Sequence, residues 1–137
     1  MGLEPTRIEN QDAFMHLTGQ LQSEQGRQSW AVLSVADGMG GMQGGEVASD
    51  AAVKAVQQQA VATFSLGRGI STQQQTEMLR EWAIAANTRV CDRLAEAQLR
   101  GGSTLLCACL VDDRLTVAHV GDCRLYLLRG NEARLLT

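Results

Sequence analysis

The sequence predicts an α+β fold in which helices pack on an antiparallel sheet. Three observations support this class: strand-like segments come first, two helical segments follow, and short strands separated by turns close the chain. A regular βαβ winding would alternate strand and helix instead. With 137 residues, 45% of them hydrophobic, and no internal repeat, the chain is expected to form one domain, 1–137, around a real core.

The first half of the chain carries two strand signals and one helix signal. Polar and apolar residues alternate over about 7–21, which predicts a strand. The apolar run at 30–36 predicts a second strand that is covered on both faces. Alanine and valine recur at helical spacing over 46–62, which predicts a helix packed closely on a sheet. Residues 63–70 are expected to be a linker.

A second helix is predicted to begin at Ser71. Ser71 and Gln74 have the spacing of a capping box, and apolar residues then recur every four positions up to Gly101. The glutamine clusters at 57–59 and 73–75 are interpreted as solvent-facing helix positions.

After Gly101 the pattern changes to short strands with turns between them. Strands are predicted at 104–111, 115–120, 123–128 and 133–136, arranged as an antiparallel meander. The last strand ends at the end of the given sequence and leaves a sheet edge that further chain or a second copy could cover, so a homodimer through this edge is one expectation.

Composition argues against several classes of protein. The net charge is -3, which provides no basic face for nucleic acid. No stretch approaches the ~18 apolar residues of a membrane span, and the N-terminal residues lack an apolar signal core. We therefore expect a cytoplasmic protein with no nucleic-acid or membrane partner.

The four cysteines do not form a metal-binding pattern. They contain no Cys-x-x-Cys pair, and no histidine is close enough to complete a zinc set. Cys107 and Cys109 are two positions apart on a predicted strand, so they share one face. We interpret them as small core side chains.

The most informative segment is the glycine-rich loop that follows the second strand. Asp37 lies at the strand end, where its carboxylate can leave the sheet, and glycines surround it at positions 38, 40, 41, 44 and 45. Glycine lets backbone atoms approach a ligand closely, so the loop can present a carboxylate and bare peptide groups together. A hard divalent cation bound by Asp37 and a main-chain carbonyl suits this chemistry.

Other polar groups also lie at strand ends or turns. They are the segment from Arg7 to Asp12 and, much later, Asp122. Carboxylates gathered from separate strand ends can share one or two cations, and an arginine can hold a phosphate with its fork of donors. The pattern indicates metal-assisted hydrolysis of a phosphoester.

Four sequence motifs, in order, resemble a known family. They are Arg-Ile-Glu-Asn-Gln-Asp at 7–12, Val-Ala-Asp-Gly-Met-Gly-Gly at 35–41 with Gly-Glu-Val-Ala-Ser at 45–49, Gly-Ser-Thr at 102–104, and Ala-His-Val-Gly-Asp-Cys-Arg-Leu-Tyr-Leu at 118–127 followed by Leu-Leu-Thr at 135–137. Together they resemble the N-terminal half of the metal-dependent serine/threonine protein phosphatases of the PP2C type, particularly the bacterial members.

The resemblance implies two stacked antiparallel β-sheets flanked by α-helices, an αββα sandwich of which this chain is the N-terminal part. It also implies two Mg2+ or Mn2+ ions at one end of the sandwich. Asp37 would bridge both ions, and Gly38 would contribute its carbonyl oxygen. Arg7 would hold the phosphate of a phosphoserine or phosphothreonine protein substrate while a metal-activated water attacks phosphorus.

The resemblance also assigns the neighbouring polar residues. Asp122 matches the position linked to a third, weaker metal, and Asp12 matches one that orients the metal ligands through water or hydrogen bonds. Gln11 stands where many members have glutamate, so it would hold the second metal less strongly. Cys123 replaces the usual serine, which we interpret as a packing substitution.

Two alternatives to an active phosphatase stay open. The later family motifs, with two more aspartate ligands, do not occur in these 137 residues, so the chain could be a non-catalytic PP2C-like regulatory or binding fragment, and we expect little turnover from it alone. A dinucleotide-binding domain is the weaker alternative. The glycines give Gly-x-Gly-x-x-x-Gly, which is looser than the dinucleotide fingerprint, and Asp37 would repel a pyrophosphate.

Overall fold

A long antiparallel hairpin begins the described fold. The computed structural model describes residues 10–24, 26–41 and 43–137. Within them the elements are β1 (Asp12–Ser23), β2 (Gly26–Met39), α1 (Gly44–Ser65), α2 (Thr72–Glu96), β3 (Gly102–Ser103), β4 (Leu105–Val111), β5 (Arg114–Val120), β6 (Tyr126–Arg129) and β7 (Glu132–Leu135). The α+β class is therefore confirmed.

The main sheet has the order β1-β2-β4-β5, with every neighbouring pair antiparallel, and β3 extends it by pairing with the end of β2. The β1–β2 register runs from Ser23 opposite Gly26, at the turn, to Asp12 opposite Asp37. Gly26 has a φ of 117°, which a glycine adopts without strain. The turn thus sets the register that places these two aspartates side by side.

Both helices pack on one face of the sheet around a single core. The alanines and valines of α1 allow a close approach to β1 and β2, as the sequence predicts. At the far end of α1, Phe64 stacks on Trp30 with ring centroids 4.1 Å apart and meets Trp82 of α2 edge-on at 6.3 Å. These aromatic contacts join the hairpin to both helices.

The start of α2 is confirmed in detail. The Ser71 side chain accepts a hydrogen bond from the Gln74 amide, and the Gln74 side chain accepts one from the Ser71 amide. The interpretation of residues 73–75 as solvent-facing is wrong for Gln75, which is 1% exposed. Its amide nitrogen donates to the carbonyl oxygens of Cys109 at 2.7 Å and Arg114 at 3.1 Å. One side chain therefore ties α2 to β4 and β5.

The predicted coverage of β2 on both faces is wrong. Val32 and Ala36 are fully buried against the helices, but the alternate residues Leu33 and Val35 are 49% and 42% exposed. Phe14, opposite Val35 on β1, is 77% exposed. The reason is that both helices lie on one side, and no element of the described ranges covers the other side.

Several element boundaries also differ from the sequence predictions, among them β2, which runs from Gly26 to Met39 and not over 30–36. Helix α1 continues to Ser65, so the predicted linker begins at Leu66. The final strands do not continue the meander: β6 and β7 form a separate two-stranded sheet, and β6 begins at Tyr126 instead of Cys123. A bend at residues 121–122 and the irregular segment 123–125 interrupt the pairing.

The two strand cysteines are core residues, as predicted. Cys107 and Cys109 are almost completely buried on the helix-facing side of β4. Burial raises the pKa of the Cys107 thiol to about 12 and that of Cys109 to about 11. Both therefore stay protonated at neutral pH. Neither helix of the described chain is long and apolar enough to cross a membrane.

We predict that Gln75→Leu destabilises the fold by about 1–3 kcal/mol, because two main-chain oxygens would lose their side-chain donor. Gln73→Leu is the matched control, since Gln73 is exposed on the same helical turn and should change stability by less than about 0.5 kcal/mol. Urea denaturation of both variants measures the difference. Equal stabilities would show that the Gln75 bonds do not hold α2 to the sheet.

Candidate metal site at the end of strand β2

Asp37 is held through its main chain by Thr104. The Asp37 amide donates to the Thr104 hydroxyl at 2.8 Å, and the Thr104 amide donates to the Asp37 carbonyl at 3.0 Å. Ser103 Oγ lies 3.3 Å from the same carbonyl, but its single hydrogen has a closer acceptor in the Thr104 carbonyl at 2.8 Å. Two hydrogen bonds with Thr104 therefore fix the backbone of the residue that the sequence identifies as the main metal ligand.

The register of the sheet brings a second carboxylate beside Asp37. Residues alternate across a strand, so Asp37 lies on the face opposite the buried Ala36, away from the helices. Asp12 is its direct partner on β1 and shares that face. Like charges in directly opposed positions destabilise a sheet, and a cation between them would offset the repulsion.

The glycine loop is shaped by close backbone contacts. A Cβ at Gly38 would lie 2.0 Å from the Gly45 carbonyl oxygen, and Gly40 has a φ of 131° while it packs against Gly101. These positions need glycine because the start of α1 and residues 100–101 press against the loop. Tertiary packing, in addition to any ligand, therefore explains the glycines.

Gln11 fastens the start of β1 to this loop. Its carbonyl oxygen accepts from the Gly38 amide at 3.0 Å, and its side-chain nitrogen donates to the Gly40 carbonyl at 3.3 Å. The side-chain oxygen lies against Gly45, where an added Cβ would be 2.5 Å away. Gln11 thus lies beside Asp12 and Gly38, and its role as a metal ligand stays a prediction.

Asp122 occupies an exposed turn that reaches the same threonine. Gly121, with a φ of 99°, packs on Thr104, and Cys123 Sγ lies 3.1 Å from Thr104 Oγ1. The position of Cys123 agrees with a packing role. Among the described residues, however, no three His, Cys, Asp or Glu side chains come together as a metal-binding group, so Asp122 does not join Asp12 and Asp37.

Arg7, predicted to bind phosphate, lies outside the described residues. The structure adds one residue to which the sequence analysis gave no role, Thr104, which is 3% exposed and contacts both Asp37 and the Asp122 turn. The sequence does contain a signal for this role of Thr104. The Gly-Ser-Thr segment stands directly before an apolar strand, so the threonine hydroxyl is expected to be buried, and a buried hydroxyl needs a hydrogen-bond partner.

Curated relatives of the chain are bacterial phosphatases. The chain is 35% identical over 108 residues to the serine/threonine phosphatase stp of Listeria welshimeri serovar 6b, a match that covers 77% of this chain and 42% of that protein. It is 31% identical over 138 residues to protein phosphatase PhpP of Streptococcus pneumoniae serotype 2, covering 96% and 49%. The chain thus spans about half the length of the curated relatives it matches.

Solved structures show the same fold. A bacterial serine phosphatase variant matches with a TM-score of 0.71 and 27% identity, over 97% of this chain and 56% of that one. The catalytic domain of serine threonine protein phosphatase PstP, in a complex with two manganese ions, matches with a TM-score of 0.64 and 27% identity, over 92% and 55%. The described sheet and helices correspond to the part of the sandwich that the sequence predicts.

We predict that Gly38→Ala destabilises the chain by more than about 3 kcal/mol, because its methyl group would meet the Gly45 carbonyl and neither backbone can move freely. Gly41→Ala is the control: nothing lies within 4 Å of its new Cβ, and stability should change by less than about 1 kcal/mol. Thermal denaturation followed by circular dichroism compares the two. Equal melting temperatures would contradict the close packing of the loop.

Sequence, fold and relatives agree on one family. The four motifs occur in the expected order. The structure places Gln11 and Asp12 of the first motif and Thr104 of the third motif beside Asp37 and Gly38 of the second. The family model for Protein phosphatase 2C matches residues 4–137, nearly the whole sequence. This chain belongs to the protein phosphatase 2C family.

Proposed function

We propose that the chain is the N-terminal part of a metal-dependent protein serine/threonine phosphatase that removes phosphate from phosphoserine and phosphothreonine residues of protein substrates. The observation that carries the proposal is the position of Asp37: beside Asp12 on the open face of the sheet, with its backbone fixed by Thr104. The printed names of the relatives, serine/threonine phosphatase and protein phosphatase, support the reaction class.

The oxygen groups around Asp37 suit Mg2+ or Mn2+ in chemical type. Asp37 would provide its carboxylate and Gly38 its carbonyl, with Gln11 and Asp12 beside them and Asp122 as a ligand of a third, weaker ion. Hard divalent cations prefer such carboxylate, carbonyl and water oxygens. When bound, two such ions would supply the positive charge that makes a water more acidic and stabilises charge developing on the phosphoryl group.

The protein's own residues would position the reactants. Thr104 holds the Asp37 backbone through two hydrogen bonds, so the point from which the carboxylate extends would stay in place when charge around it changes. The Arg7 guanidinium would hold two phosphate oxygens through parallel N–H donors, which orients phosphorus toward the attacking water. Asp12 would orient metal ligands from the neighbouring strand.

The site is incomplete in the described part of this chain, which contains no group of three acidic, histidine or cysteine ligands. We therefore propose that these 137 residues by themselves turn over little or no substrate. The same observation supports the alternative of a non-catalytic PP2C-like binding fragment. Such a fragment would retain the fold and bind a phosphoprotein without hydrolysing it.

The dinucleotide alternative finds no support in the fold. A dinucleotide site needs a parallel sheet and a glycine turn open to the pyrophosphate. Here the main sheet is antiparallel, and Gly38, Gly40 and Gly44 press against main-chain atoms of the same protein.

Partners and location remain proposals from the sequence. A homodimer could form through the outer edge of β7, where Leu135 and Leu136 are exposed. A cytoplasmic location, and the expectation of no membrane or nucleic-acid partner, rest on composition alone.

We predict that the chain binds Mn2+ weakly and that Asp37→Asn lowers the affinity at least tenfold, because the variant loses the charge of the main ligand. Titration calorimetry of both proteins measures this. Asp113→Asn is the charge-matched control, since Asp113 lies in the exposed β4–β5 turn at 112–113. Identical binding by all three proteins would remove the proposed metal site.

We also predict at most trace release of phosphate from a phosphothreonine peptide by the 137-residue chain in Mn2+, because carboxylate ligands are missing. Asp37→Asn sets the background in the same assay. Robust Mn2+-dependent turnover by the unmodified chain, absent in Asp37→Asn, would show that these residues suffice and would refute the proposal of inactivity.

A further inference from the structure

A cleft of about 570 Å3 lies between α2 and the end of the sheet formed by β3, β4 and β5. Its walls include Arg80, Ala83, Asn87 and Cys91 from α2, with Ser103 and Val120 from the sheet side. This volume is within the range of roughly 300–1,000 Å3 that is typical of small-molecule sites.

The cleft results from how α2 meets the sheet. Gln75 ties the first turn of α2 to β4 and β5, and Trp82 fills the space behind it. Farther along, α2 lines the gap with both small and large side chains, among them Ala83, Asn87 and Val90. Ile84 on the helix and Val120 on β5, which also line the gap, remain exposed. The cleft therefore opens beyond the point where Gln75 ties the helix to the sheet.

The charge of the cleft limits what it can bind. Most of its lining is apolar, and Arg80 is the only charged side chain among the described residues that line it. Arg80 contacts Glu77 at 3.1 Å, but both side chains are well exposed, and such a pair adds little stability. The guanidinium can therefore turn to a ligand, and Asn87 offers an amide two helical turns away.

We propose that this cleft binds a small amphipathic anion, with an apolar chain or ring between α2 and the sheet and a carboxylate-like head at Arg80. The inference goes beyond phosphatase chemistry and does not depend on it. One wall is Ser103, which pairs with Gly38 on β2, so the occupant lies directly beside the strand that holds Asp37.

The exposed sheet face is the main competitor for any apolar probe. It includes the apolar residues Phe14, Leu33 and Val35, and the carboxylates of Asp12 and Asp37 on the same face would favour a cationic head group over an anionic one. A test must therefore distinguish the two surfaces by head-group charge and by position.

Cys91 reports on the cleft directly, because it lines the cleft and is exposed. Its alkylation by iodoacetamide can be followed residue by residue by mass spectrometry. Cys107 and Cys109 stay unreactive, since they are buried and the pKa of each is raised, to about 12 and about 11. The probes are decanoate and decyltrimethylammonium, which share an apolar chain and differ in head-group charge, both kept below their micelle concentrations.

We expect decanoate to slow Cys91 alkylation at concentrations about tenfold lower than decyltrimethylammonium does. Arg80→Gln should remove most of that difference, because it removes the one charge carried by the described lining residues, and Ala83→Phe should abolish protection by filling the gap. Leu33→Gln, on the sheet face, is the control and should leave protection unchanged.

Three results would overturn the proposal. They are equal protection by the two probes, undiminished protection in folded Ala83→Phe, and a rate that falls with protein concentration without any probe, which would mean that a second copy covers the cleft. Circular dichroism of each variant establishes that it is folded.

Discussion

The paired hydrogen bonds between Thr104 and Asp37 are the constraint on which the site depends. Each residue donates one main-chain amide to the other residue, and the geometry locks β2 to the segment that leads into β4. Because the Thr104 hydroxyl accepts the Asp37 amide hydrogen, its own hydrogen remains available to Cys123 Sγ. One buried threonine therefore joins strand β2, the sheet core and the turn that carries Asp122.

The glycine-rich loop that follows Asp37 is also held by close backbone contacts. The start of α1 and the segment before β3 both approach the loop so closely that a side chain at Gly38 or Gly44 would overlap main-chain atoms. These contacts hold the described main chain that follows Asp37 against α1 and residues 100–101. The glycines thus contribute to the site by allowing this close packing, whether or not their peptide groups also touch a ligand.

Local signals in the sequence led to correct predictions, and long-range relations led to the errors. The Ser71–Gln74 capping box and the strand position of Cys107 and Cys109 depend on residues a few positions apart, and all were confirmed. The prediction that Gln75 faces solvent is wrong. A glutamine in a helix usually faces water, and the two carbonyl oxygens on β4 and β5 that accept from Gln75 come near it only in the folded chain. Leu33 and Val35 were misjudged because apolarity cannot show which face the helices cover.

The sequence by itself determined the fold class, the family and the identity of the candidate ligands, because hydrophobic periodicity, capping and motif spacing are properties of short segments. Tertiary structure alone decided that Asp12 lies beside Asp37, that Thr104 holds the Asp37 backbone in place, and that β6 and β7 form their own sheet. The physical reason is that register, close backbone contact and burial arise only when segments distant in the chain meet.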